Sequence, residues 1–152
     1  MSETTSRTVL ETLIDTVYNS LDGYKNASDA ATSQAVKSAF ANQMERRRST
    51  LDMLNQELVR QGGELMTKGT MAGSLHQVWL KVTELFQSGD RAAIERVQEG
   101  ENYLAEKFET ALEETDLDSQ TRAVIQRAMT EIRQGEQLAD QLARIGDSTF
   151  DQ

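Results

Sequence analysis

Residues 32–63, TSQAVKSAFANQMERRRSTLDMLNQELVRQGG, decide how this chain folds. Val36, Phe40, Gln43, Arg47, Leu51, Leu54 and Leu58 recur at the spacing that brings side chains to one face at ~100° per residue. Thr32 or Ser33 can accept the first free amides of such a helix, and Gly62-Gly63 can end it. The expectation is a helix over about 33–61 with one buried stripe. Two of the seven slots on that stripe hold polar side chains, Gln43 and Arg47, where an apolar residue would be expected.

Outward from this helix the same period repeats. Leu10, Leu13, Ile14, Val17, Leu21, Tyr24, Ser28 and Ala31 mark a helix over about 5–31. Almost nothing joins it to the next, so the two should be antiparallel neighbours. Asp90 is positioned to cap a third helix over about 90–115, with stripe Ile94, Val97, Glu101, Leu104, Phe108 and Leu112. The turn around Asp116 and Asp118 starts a fourth over about 118–145, with Ile125, Ala128, Ile132, Gly135, Ala139 and Leu142 inward. Nothing obliges any of these to break, because the chain has no proline. Nearly thirty residues link the second helix to the third, too many for an idle loop in a compact domain. Within them Ser74 and Gln77 have capping-box spacing, and Leu75, Val78, Trp79, Val82 and Phe86 form an amphipathic face, so a crossover helix is expected over about 74–87. Four separate stripes without an internal repeat favour a single all-α domain over 1–152, a four-helix bundle with a long central crossover, rather than a coiled coil or helical repeat.

The 152 residues fit one domain with one core. The absence of cysteine removes disulfides, thiolate metal sites and cysteine nucleophiles, and fits a reducing, cytoplasmic setting. A net charge of −9 argues against nucleic acid, and no window has the ~20 apolar residues of a membrane span.

The stretches GGELMTKGTMAGSLHQVW, ERRRSTLDMLNQEL and GENYLAEKFETAL resemble the corresponding motifs of a bacterial family of ferritin-like four-helix-bundle proteins of unknown function. The similarity runs from about Leu10 to Leu142. It implies the ferritin-like bundle and, from the family's general character, a stress setting; it implies no reaction. A Glu-Asp pair usual on the third helix appears here as Glu101-Asn102, and a His-Asp pair common on the fourth as Glu136-Gln137, which weakens the inference to metal.

A ferritin-like di-iron site takes carboxylates from two helices and a Glu-x-x-His pair from each of the other two. This chain contains no Glu-x-x-His, and its single histidine, His76, lies in the crossover. Iron or manganese would have to be held by Glu101 with Glu136, Asp22 and Glu131. The favoured reading has no metal or other cofactor: Arg47 and Glu101 pair in a central polar layer, and Gln43 takes up remaining hydrogen bonds, because a charge buried in mid-bundle must be paired. His76 and Trp79 are expected to clamp the crossover onto the bundle. Glu57, Glu113 and Glu114 are expected on the surface, where they could collect cations loosely. The leading functional expectation is a non-enzymatic structural or protein-interaction bundle whose partner is another protein or a second copy. The alternatives are an iron- or manganese-binding protein, and a bundle that binds a small apolar ligand in space left by Gly100, Ala128, Gly135 and Ala139.

Overall fold

The computed structural model describes residues 2–69 and 89–149. They form four helices: α1 (Ser2–Ala30), α2 (Gln34–Arg60), α3 (Gly89–Leu112) and α4 (Ser119–Thr149). The expected crossover helix, with His76 and Trp79, lies outside the described residues.

The ends differ from the expected ones by a few residues, and local hydrogen bonding shows why. Ser33 caps α2, its hydroxyl accepting from the Val36 amide. At the other end Gly62 has φ 89°, a left-handed conformation open to glycine at little steric cost. The Gly62 amide then donates to the Val59 carbonyl and the Gly63 amide to the Leu58 carbonyl, both at 2.9 Å, the paired bonds of a Schellman ending. α3 stops at Leu112, short of the expected 115, because the Glu113 and Glu114 amides bond back three residues and the Arg122 guanidinium covers the Leu112 and Glu114 carbonyls. Asp118 caps α4 by accepting from the Gln120 amide at 2.9 Å. α4 runs on through Gly146 to Thr149, past the expected end at 145.

Asp90 does something other than cap its own helix. It sits inside the first turn of α3, and its carboxylate accepts from the Thr32 amide (2.7 Å), the Thr32 hydroxyl (3.1 Å) and the Ser33 amide (2.7 Å). The start of α3 is thereby tied to the α1–α2 turn. At the opposite end the Asp118 amide donates to the Ser6 hydroxyl, and Gln61 reaches Thr121. These ties fix the directions of the four helices: α1 up, α2 down, α3 down and α4 up. α1 packs on α2 and α3, and α4 on α3 and α2. The end of α2 and the start of α3 thus lie at opposite ends of the bundle, and a helix the length of α2 spans about 40 Å.

The core follows the stripes. Leu10, Leu13, Ile14, Val17, Tyr24, Phe40, Leu54, Leu58, Ile94, Val97, Leu104, Phe108, Ile125, Ala128 and Ile132 are buried in one cluster. Among the described residues no helix is long and apolar enough to cross a membrane.

Candidate functional site

Halfway along the bundle the apolar core is interrupted by a layer of charge. Arg47 of α2 and Glu101 of α3 both have side chains with 0% exposure, and they meet through two parallel bonds. Arg47 Nη1 donates to Glu101 Oε1 at 2.9 Å and Nη2 to Oε2 at 2.6 Å. This fork-to-fork geometry is the strongest form of ion pair available to side chains. Two more guanidinium donors are used: Nε reaches Glu131 Oε1 on α4 at 2.8 Å, and Nη1 reaches the Ser20 hydroxyl on α1 at 2.9 Å. One arginine therefore draws on all three other helices.

The carboxylates are held from behind. Tyr24 donates its hydroxyl to Glu101 Oε2 at 2.7 Å, its ring lies 5.7 Å from the guanidinium carbon and packs edge-on against Phe40. Gln43 Nε2 donates to Glu131 Oε2, while Gln43 Oε1 accepts from Arg46 at 3.2 Å. Gln43 thus serves Glu131 rather than the Arg47–Glu101 pair. Glu131, 12% exposed, is the layer's outward edge.

Burial disfavours the charge on Arg47, and Glu101 and Glu131 outweigh that effect, so its proton is held well above the ordinary arginine range. Burial raises the Tyr24 hydroxyl well above its usual value, the negative charge of Glu101 raises it further, and Arg47 only partly offsets both. Tyr24 is therefore a neutral donor at any ordinary pH.

Gly135 makes room for all of this. A Cβ at that position would lie 2.0 Å from Glu101 Oε2, 2.8 Å from Arg47 Nη2 and 3.2 Å from Gln43 Nε2. The space that the sequence suggested for an apolar guest at this glycine is filled by the ion pair.

The other acids considered for metal do not join the layer as a set. Asp22 is exposed. Glu136 is half-buried beside Arg133, with 3.4 Å between them. Burial raises its carboxyl above the usual range, Arg133 opposes this, and the charges of Glu101, Asp140 and Glu109 add to the rise. Among the described residues no three His, Asp or Glu side chains are grouped so as to hold a metal ion.

Glu57 corrects the sequence reading, which placed it on the surface. It is buried at the lower end of the α2–α4 seam. Arg60 donates to both its oxygens, at 2.8 and 2.7 Å, and the Thr121 hydroxyl to one of them at 2.6 Å. Burial pushes the Glu57 carboxyl up, but the bonds from Arg60, Thr121 and Gln61 together push it further down, leaving it below the ordinary range. Glu113 and Glu114 are exposed, as expected.

A clamp on the crossover is visible ahead of His76 and Trp79. The Asn55 side chain pairs with the Met66 backbone, accepting from its amide at 3.0 Å and donating to its carbonyl at 2.9 Å, and the Tyr18 hydroxyl donates to the same carbonyl at 2.8 Å. Three residues on, a Cβ at Gly69 would lie 3.0 Å from Tyr18 Cβ. The segment leaving α2 thus lies close against α1.

Residues 6–114 match the model of a family described as a domain of unknown function, DUF2383. Arg47, Glu101, Tyr24 and Ser20 fall inside the matched stretch, and Glu131 and Gly135 beyond it. Among curated proteins none matches the chain.

Proposed function

Because the chain belongs to the DUF2383 family, whose description assigns no reaction, we propose on physical grounds that it is a non-catalytic, ferritin-like bundle that works as a structural or protein-interaction module. The up-down-down-up path with one long crossover is the connection pattern of ferritin-like bundles and supports that placement. A single observation carries the reading: in the layer where such bundles converge carboxylates on metal, both Glu101 oxygens and one Glu131 oxygen are bonded to Arg47. A guanidinium supplies the positive charge that iron or manganese would otherwise supply, and it is covalently part of the chain. The reading places the protein in the cytoplasm with another protein or a second copy as its partner; the composition, free of cysteine and acidic overall, supports this.

Anaerobic titration with ferrous iron, followed by oxygen, tests the reading. The expected result is no saturable di-ferric absorption. Two irons per chain with a defined end point would overturn it in favour of an iron-binding protein.

A further inference from the structure

We propose that the slot filled by the Arg47 guanidinium is a cation site in its own right, and that removing this side chain converts it into a site for one hard divalent ion such as Mn²⁺. The inference rests on the functional reading above, in which Arg47 is the layer's resident cation.

Four oxygens surround one guanidinium: Glu101 Oε1 at 2.9 Å, Glu101 Oε2 at 2.6 Å, Glu131 Oε1 at 2.8 Å and Ser20 Oγ at 2.9 Å. They come from α3, α4 and α1, so three helices other than the one that carries Arg47 bring them to one place. Tyr24 and Gln43 each donate to a carboxylate from outside the ring, the kind of outer bond that orients metal ligands. Gly135, with no side chain, lets the Glu101 carboxylate and the guanidinium lie close against α4.

Charge determines what such a slot would take. Arg47 contributes +1 against two carboxylate side chains, so removing it leaves two acidic groups facing one cavity with no fixed counterion. A divalent ion cancels that charge, and water entering the volume left by the guanidinium completes its coordination. All-oxygen donors select Mg²⁺, Mn²⁺ or Ca²⁺ over ions that prefer nitrogen or sulfur. The identity of residue 47 is then what separates a bundle independent of metal from one that requires it.

Arg47→Ala should bind one Mn²⁺ per chain, read as loss of the free Mn²⁺ resonance signal, and its melting temperature should rise on Mn²⁺ addition. Adding Glu131→Gln should weaken binding at least tenfold, and the wild-type protein should show neither effect. If Arg47→Ala is unfolded on its own, recovery of its helical circular dichroism with Mn²⁺ supports the proposal. A variant that Mn²⁺ neither binds nor restores, whether or not millimolar guanidinium restores it, overturns the divalent site, as does Mn²⁺ uptake that Glu131→Gln leaves unchanged. Failure of the variant to take up Mn²⁺ leaves the functional reading standing, whereas two irons on the wild-type chain would remove that reading directly.

Discussion

Replacing Gly135 with alanine should destabilise the protein, against the usual sign for a glycine inside a helix. In an unconstrained helix the change gains ~1 kcal/mol, because alanine loses less backbone entropy. Here the new methyl would lie 2.0 Å from Glu101 Oε2 and 2.8 Å from Arg47 Nη2. Contact between carbon and oxygen needs well over 3 Å, so the carboxylate must move by more than an ångström. Neither of its bonds to Arg47, at 2.6 and 2.9 Å, survives such a shift in its present geometry. Disrupting a buried pair costs about 3–5 kcal/mol. Subtracting the helix gain leaves a net loss of about 2–4 kcal/mol. Urea unfolding followed at 222 nm measures it, and a second background isolates the cause: with Glu101→Ala already present, Gly135→Ala should be neutral or stabilising. A wild-type background in which Gly135→Ala stabilises, or an equal cost in both backgrounds, would refute the argument.

Further outcomes are expected along the same lines. Arg47→Met and Glu101→Leu should each cost about 3–5 kcal/mol, and the double variant should regain much of the loss, since Glu131 at the outer edge can hydrate once Arg47 is gone; a double-mutant cycle reads the coupling, and simple additivity would deny that the pair interacts. Tyr24→Phe should cost about 1.5–3 kcal/mol through the lost bond to a charged acceptor, measured by the denaturant midpoint. Glu57 has its folded pKa below the unfolded value, so it contributes stability above the ordinary carboxyl range that is lost as pH falls through its lowered pKa; the stability gap between wild type and Glu57→Gln should therefore close on acidification. Glu136 has the opposite sign, so Glu136→Gln should raise the melting temperature at pH 7, an advantage that shrinks as pH falls through the raised pKa and the native carboxyl is protonated.

The helices and the Arg47–Glu101 meeting were legible because both depend on local periodicity. A charged residue in a slot between leucines is a local signal with a long-range consequence. Glu131 carried the same kind of signal, lying three residues after Ala128 and four before Gly135 on one face of α4, yet it reads as a flanking acid until the width of the buried stripe is known. Tyr24 and Ser20 were not legible as polar partners. A tyrosine on an apolar stripe looks like core, and its hydroxyl acquires meaning only from an acceptor 77 residues away. Glu57 was misread for the same reason: Arg60, one turn on, suggests an ordinary surface pair, and the contact that buries it is with Thr121, 64 residues distant. Asp90 was legible as a helix-terminal acid, but which amides it serves depends on how α3 docks against the α1–α2 turn.

The division of the charged layer between two halves of the chain has a kinetic consequence. Arg47 belongs to the α1–α2 pair, and its carboxylate partners, 54 and 84 residues away, belong to the α3–α4 pair. Each pair can assemble through contacts close in sequence, but the charges must shed water before they meet, a step that is uphill until the two pairs have docked. Bonds that form after the rate-limiting barrier act on unfolding alone, so the expected outcome is that substitutions at Arg47 or Glu101 accelerate unfolding while leaving the refolding rate nearly unchanged, which stopped-flow measurement of both rates checks. On that expectation the layer acts on the lifetime of the native bundle rather than on the speed with which it forms.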